Sequence, residues 1–566
     1  MGGILSSEIS LMADDDVGIP MQTQPQPSPE IDVRSILPPD WDLKTDVLLI
    51  VGEGASTIAT PFVKFGLNRV IAMFPRPLPI EQAVAGVTVV SSRGELNRAL
   101  HLIGHDSANR FALLRTPDCS IPHDETDALH KLTSTLLKRK QANEHTHDHL
   151  APLWAANGVR NLRHLGRHLM VTDLKGQFQG VPLIIVGAGP SLSKNINLLK
   201  QAQGKAIIIC VARALTSLQQ AGVWPDFAIS LDAYDVKSHF RNIELDRITG
   251  LILSSTSHPN LFDFAVDTRL ISFSANTVAE GWMFDDTDGV VEMPSGGSVS
   301  CAAMSVGLHW GCNPIMVVGQ DLSFDSGQFY HDAGTDGDAK AHYDERSNTW
   351  SLNGYSDDLA HTLKDQVETT GLTFSGAVVP GYYGGSVQTN TAFASFRTWF
   401  ELTALDEAGR TTMFNCTEGG AHIGGMQHID LKQAIDSLAQ RAVNPRKLLD
   451  IACEKTPLTE RHERMTRKAD DIRSNVENAI QHARTAIQLI EKTKRNPNQI
   501  NALQAVESSL SAALKKAFVI NLLAQDEIRN AIAKGQSAKS MHESLDATKQ
   551  LYQVIIQHGE KLRRNQ

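Results

Sequence analysis

The chain has 566 residues, enough for three or four domains, and a composition ordinary for a globular protein, with 42% hydrophobic and 20% charged residues. A net charge of −10 gives no bulk support to a nucleic-acid partner, so an anionic substrate must be met by a local site and not by a basic face. Six scattered cysteines (Cys119, Cys210, Cys301, Cys312, Cys416 and Cys453) form no C-x-x-C pair, which argues against a thiolate zinc site and fits a reducing compartment.

No apolar run reaches the ~18 residues of a spanning helix, and no basic segment precedes an apolar leader. The expectation is a cytoplasmic protein without membrane insertion. Residues 1–40 read as a disordered tail: Asp14, Asp15 and Asp16 are consecutive acids, and 22–30 is rich in Pro and Gln and cannot build a core. Residues 41–150 read as an N-terminal α/β domain. Apolar runs at 46–51, 69–74, 87–91 and 110–114 predict strands, and 93–103 predicts a helix between two of them. The turn Gly52-Glu53-Gly54 lacks a third glycine and the usual downstream acid, so it reads as a structural or docking turn. A charged helix over 124–149 leads to the centre.

Residues 151–430 read as a doubly wound, Rossmann-like α/β domain. Strands are predicted at 183–186, 206–211, 227–231, 251–254, 270–273 and 315–318, with helices such as 192–201 and 215–221 between them. Four strand-end elements carry the chemistry. The first is Gly187-Ala188-Gly189-Pro190-Ser191, a tight turn opening a helix, where a phosphate can approach backbone N–H groups. The second is Asp232. The third is Ser295-Gly296-Gly297-Ser298, which opens another helix and reads either as an anion cradle or as a plain N-cap and turn. The fourth is Gln320-Asp321, at the end of a buried strand. Asp232 and Asp321 suit ribose hydroxyls, a base, a divalent metal, or a capped loop.

A long apolar-poor insert follows Asp321 and reads as a structureless lid. His331, His342 and His361 lie in or near it, and one of them would serve as general base on an acceptor hydroxyl. Asp321, His331 and His342 are the catalytic candidates. Thr389 and Glu418, in Gly-rich segments downstream, are candidate ligand contacts or turn residues. Residues 431–566 change texture to dense charge with helical periodicity. Helices are predicted at 431–442, 460–492, 500–533 and 540–563, forming a C-terminal helical bundle.

Jointly, 187–192, Asp232, 296–302, 311–322, 384–389 and 418–423 resemble the motility-associated factor (Maf) flagellin glycosyltransferases, whose central domain is shared with hydroxymethylpterin diphosphokinase-like proteins. The same region is similar to bacterial CMP-sialic acid-dependent sialyltransferases, which have Gly-Asn-Gly-Pro-Ser-Leu where this chain has Ala188 in place of the Asn. The resemblance implies transfer of a nonulosonic acid, pseudaminic or legionaminic, from its CMP form to Ser or Thr of flagellin, for flagellum assembly and motility. The candidate nucleotide-sugar contacts are Gly187, Ala188, Gly189, Pro190, Ser191, Asp232, Ser295, Gly296, Gly297, Ser298, Gln320, Asp321, Thr389 and Glu418, with the contact that the Asn makes in the sialyltransferases lost at Ala188 or supplied elsewhere. No cofactor is required on this reading, with Mg or Mn left open. Two alternatives stand beside it: a pterin diphosphokinase-like enzyme using the same turn with Asp232 and Asp321 on Mg²⁺, and a flagellin-binding chaperone with a vestigial nucleotide site.

Overall fold

The computed structural model describes residues 10–13, 32–75, 85–102, 110–264, 269–273, 278–284, 293–324, 327–328, 330–334, 337–354, 372–438 and 443–564. It divides into two compact units, one of residues 1–146 with 401–406, the other of 147–400 with 407–566.

The first unit holds a five-stranded sheet in the order β1-β5-β2-β3-β4. Strands β2 (Val47–Val51), β3 (Val70–Met73), β4 (Val87–Val90) and β5 (Phe111–Arg115) are parallel, and β1 (Ser10–Ala13) lies antiparallel on β5. Every residue of β2 is buried, because both sheet faces are covered; this is why its sequence is an unbroken apolar run. Two pieces of the expected tail are structured. Ser10–Ala13 forms the edge strand, and the short helix Val33–Ile36 buries Val33 and Leu37 in one of the unit's cores. Asp32 caps that helix by accepting from the Arg34 N–H at 3.1 Å. After β2, Gly52 is left-handed (φ 134°), and a Cβ there would stand 1.9 Å from Thr116 Oγ1. The Gly54 N–H donates to Asp118 Oδ1 at 3.1 Å, so the chain's own carboxylate closes this turn.

The second unit is built on nine strands, all parallel, in the order β18-β17-β12-β7-β8-β9-β10-β11-β6. Six match the predicted strands: β7 (Leu183–Val186), β8 (Ile207–Val211), β9 (Phe227–Ser230), β10 (Gly250–Ser254), β11 (Arg269–Phe273) and β12 (Ile315–Val318). The short strands β6 (Leu169–Met170), β17 (Met413–Asn415) and β18 (Gln427–His428) complete it. The chain lays down β7 to β11 in one direction, then returns to place β12 on the other flank of β7. The strand order therefore reverses between β7 and β12. In open parallel sheets that reversal opens a crevice at the carboxyl ends of the two strands.

The insert after Asp321 is not structureless. It folds into a four-stranded antiparallel sheet of β13 (Lys340–Asp344), β14 (Thr349–Asn353), β15 (Leu372–Pro380) and β16 (Ser386–Asn390). In β13 and β14 the alternate residues Ala341, Trp350 and Leu352 turn inward, onto Phe324 and Ala339. His361 lies outside the described residues.

The charged helix is longer than predicted: His123–Leu165 continues through Pro152. Its Ala155, Val159 and Leu162 share one core with the C-terminal helices Leu458–Arg495, Ile500–Lys516, Phe518–Leu523 and Met541–Arg564. The stretch predicted as one helix over 500–533 breaks at Ala517 and Ala524, where the backbone leaves helical geometry (ψ 43° and 18°). Arg461, on the first long C-terminal helix, makes a two-pronged ion pair with Asp173 at 2.7 and 2.8 Å. Among the described residues no helix is long and apolar enough to cross a membrane.

Candidate functional site

The crevice between β7 and β12 gathers most of the predicted residues. After β7 comes the turn 187–191; after β12 comes Gly319, Gln320 and Asp321. The two loops are stitched together. The Gly187 N–H donates to the Val318 carbonyl at 2.8 Å, and the Gly189 N–H to the Gly319 carbonyl at 2.9 Å. Asp321 takes the rest: Oδ1 accepts from the Ser191 N–H at 3.1 Å, and Oδ2 from the Ser191 hydroxyl at 2.7 Å. Gly187 and Gly189 are required by contact and not by conformation. A Cβ on Gly187 would stand 2.4 Å from the Gly319 carbonyl oxygen, and one on Gly189 1.9 Å from Asp321 Oδ2.

This corrects the reading of 187–191 as a backbone phosphate cradle. The Gly187, Gly189 and Ser191 N–H groups are engaged within the protein, and the helix that follows, Leu192–Asn195, has only four residues and a correspondingly small dipole. Part of the Asp321 surface reaches solvent, yet burial dominates its titration. Its pKa is pushed up to about 6, against the pull of the Ser191 hydrogen bonds and the nearby Lys194 charge.

The Ser298 N–H closes the second Gly-Ser turn onto the Ser295 carbonyl at 2.9 Å, and the helix Val299–Trp310 begins with no side-chain cap. That helix packs on β7, β8 and β9 and brings Gly307 near Leu183 at the start of β7. It therefore runs against the strands, and its N-terminus lies at their carboxyl ends, the same edge as Asp321. Gly296 is left-handed (φ 57°), and a Cβ there would stand 2.6 Å from the Trp399 ring. Both constraints demand glycine. Of the two predicted cradles, this one begins a twelve-residue helix with no side-chain cap.

The remaining candidates separate. Asp232, at the end of β9, is partly exposed and accepts from the Ser230 hydroxyl at 2.9 Å; its strand is separated from β7 by β8. The Gln320 N–H donates to Thr417 Oγ1 at 3.2 Å, and its buried side chain packs beside Gly187. Thr389 is fully buried; its hydroxyl donates to the Leu322 carbonyl at 2.8 Å, and its own carbonyl accepts from Trp350 Nε1 at 3.0 Å. It pins the antiparallel sheet to the loop after Asp321 and is not a ligand contact. The Glu418 carboxylate accepts from the Leu431 N–H at 2.9 Å, at the start of the helix Leu431–Asp436. That is a capping role.

The three histidines also part company. The His331 N–H donates to the Ala188 carbonyl at 2.9 Å, which seats the residue against the turn. Its Nδ1 accepts from the Ala333 N–H at 3.2 Å, and burial lowers its pKa, so the neutral ring carries its proton on Nε2. In this tautomer His331 donates; it does not accept a proton as the predicted general base would. His342 sits on the exposed face of β13, paired across to Ser351, and is not drawn into the crevice. Lys194 was missed by sequence reasoning. It follows Ser191 by three residues, and its Nζ donates to the Glu418 carbonyl at 2.7 Å. The only available signal was a lysine one turn past the Gly-rich element. Among the described residues no three His, Cys, Asp or Glu side chains group to hold a metal ion. An ion at Asp321 would have to share oxygens already accepting from Ser191.

Residues 156–327 match the family model described as 6-hydroxymethylpterin diphosphokinase MptE-like, the domain that the sequence resemblance assigns to this segment. A curated relative, an uncharacterized protein of Treponema pallidum (strain Nichols), is 31% identical over 102 residues, covering 18% of this chain and 48% of that protein. The chain thus spans about half the length of that relative. Among solved structures, a MAf glycosyltransferase from Magnetospirillum magneticum AMB-1 is similar at 14% identity and a TM-score of 0.43, covering 91% of this chain and 77% of that one.

Proposed function

We propose that the chain is a glycosyltransferase that moves a nonulosonic acid, of pseudaminic or legionaminic type, from its CMP form to Ser or Thr hydroxyls of flagellin in the cytoplasm. The observation that carries this reading is the meeting of 187–191, 295–298 and 319–321 at one reversal point of a parallel sheet. The CMP phosphate is held at the start of the helix Val299–Trp310, where uncapped N–H groups stabilise the leaving group as negative charge grows. The bond from the anomeric carbon to the phosphate oxygen breaks, the acceptor oxygen forms its bond to that carbon, and the acceptor's hydroxyl proton passes to the released CMP phosphate, a monoester whose second ionisation lies at about 6. His331, a neutral donor at Nε2, hydrogen-bonds the departing phosphate. Asp321 orients the Gly-rich turn through Ser191. Intact-mass spectrometry of flagellin from cells with and without this gene tests the reading; an unchanged flagellin mass would remove it.

The MptE-like match supports a second reading, a diphosphokinase-like enzyme acting on a hydroxymethyl heterocycle. An assay for ATP- and Mg²⁺-dependent diphosphate product separates the two.

The Asp321 titration gives a pH dependence. Its raised pKa means the carboxyl is neutral below about pH 6 and anionic above it. A bound phosphate is repelled only by the anionic form, so affinity falls as pH rises through about 6. Calorimetric titration with a phosphodiester of constant charge should show this fall, and Asp321→Asn should flatten it. An unsloped profile for the parent protein would exclude Asp321 from the neighbourhood of the phosphate.

A further inference from the structure

Tyr383 combines two properties that seldom occur together: it is 75% exposed, and it is held still. Its hydroxyl donates to the Glu418 carbonyl at 3.0 Å. Its ring meets that of Tyr382 edge-on, with centroids 4.8 Å apart at 72°, and the Tyr382 hydroxyl is in turn anchored on the Asn415 carbonyl at 3.1 Å. The loop beneath is tied by its own backbone. The Tyr382 N–H donates to the Gly420 carbonyl at 2.8 Å, and the Gly381 N–H to the Gly385 carbonyl at 3.1 Å. An exposed tyrosine with no task is ordinarily left free to turn, since fixing it costs rotamer entropy without burying area.

The chain just after the ring is open. Gly384 and Gly385 are both left-handed, and a Cβ on either would meet nothing within 4 Å. Over the ring, at 5.9 Å from its centroid, lies the Nζ of Lys194, which donates to the same Glu418 carbonyl. Its hydrogen bond goes to a carbonyl and not to a carboxylate, and its charge also acts on the Asp321 carboxyl nearby. Gly419 places this corner against the Gly-rich turn: a Cβ built there would stand 3.3 Å from Lys194 Nζ and 3.5 Å from Ser191 Cβ. The ammonium, the fixed aromatic face and the crevice residue Ser191 thus share one locality.

We infer that Lys194 and Tyr383 form the nucleotide-anchoring corner of the crevice, with Lys194 on the phosphate and the Tyr383 ring stacked on the nucleobase. This rests on the nucleotide-dependent reading given above. An ammonium and a ring about one ribose apart fit a nucleoside monophosphate, whose phosphate and base are joined by that sugar. Stacking on an exposed aromatic is tolerant of base identity, so this corner supplies affinity and leaves the choice of base to hydrogen-bonding groups deeper in the crevice.

Calorimetric titration with three probes (CMP, cytidine and ribose 5-phosphate) tests each half. Tyr383→Ala should weaken CMP and cytidine by about tenfold and spare ribose 5-phosphate, the size expected for one lost base–aromatic stack. Tyr383→Phe, which keeps the ring and loses only the tether, should stay within about threefold of the parent. Lys194→Met should weaken CMP and ribose 5-phosphate, more at low salt, and spare cytidine. Because Tyr383 is mostly exposed, the melting temperatures of its variants should match the parent, separating binding from folding. CMP affinities of Tyr383→Ala and Lys194→Met equal to the parent's would overturn the inference while leaving the nucleotide reading intact. A parent protein that binds none of the three probes would overturn both.

Discussion

Gly189→Ala is expected to abolish measurable CMP binding, a loss of about 100-fold or more, and to lower the stability of the second unit by about 3 kcal/mol. The new methyl would stand 1.9 Å from Asp321 Oδ2 and 2.7 Å from the Gly319 backbone oxygen. The carboxylate cannot simply swing away, because Ser191 holds both of its oxygens. The Gly319 carbonyl cannot yield without breaking the 2.9 Å hydrogen bond from the Gly189 N–H. The ends of β7 and β12 must separate, and with them the crevice they define. Gly384→Ala is the matched control. It also adds one methyl in the same unit, but into open space at a left-handed position, so it should cost about 1 kcal/mol and leave the turn undisturbed. Thermal melts and CMP titration of the two variants give the comparison. Near-parental binding by Gly189→Ala would mean the turn is not the structural keystone described above.

Arg461→Ala is expected to cost about 3–5 kcal/mol, the penalty for stranding one partner of a buried ion pair. Arg461 and Asp173 are only 9% and 13% exposed in their side chains, and both guanidinium prongs are used. Asp173 Oδ2 also accepts from the Met170 N–H at 2.7 Å, so the carboxylate fastens the strand β6 as well as the helix. Removing the arginine leaves a desolvated anion beside that strand. Asp173→Asn in the Arg461→Ala background should recover part of the loss, since it removes the stranded charge and keeps an acceptor for Met170. Chemical denaturation of parent, single and double variants reads both effects. A single variant within about 0.5 kcal/mol of the parent would show that solvent reaches the pair.

The α/β frame is largely legible in the chain because the central strands are covered on both faces. Such strands are unbroken apolar runs, as in 183–186 and 315–318, and they stand out from their surroundings. The strands that escape are β6, β17 and β18, two or three residues long and without a run of their own. The antiparallel sheet escapes for another reason. Its inward residues, such as Ala341, Trp350 and Leu352, are spaced by polar ones in a segment dense with Asp and Gly, so the alternation reads as loop.

At the site, residue identity is legible and use is not. Gly187, Gly189 and Asp321 each stand out, yet the Ser191–Asp321 hydrogen bonds join positions 130 apart, and no local pattern announces them. Thr389 and Glu418 stand out equally, and their partners, Leu322 and Leu431, turn both into fasteners. Lys194 and Tyr383 gain meaning only because Glu418 offers one carbonyl to both.

Each unit also contains the same device. In one, Asp118 reaches from the loop after β5 to the glycine turn after β2; in the other, Asp321 reaches from the loop after β12 to the turn after β7. A clasp of this kind removes main-chain amides from the inventory open to selection, since altering them would unfasten the sheet. Divergence toward a new ligand would then have to proceed through side chains on the rim, where substitutions are tolerated, which leaves the scaffold durable while its cargo changes.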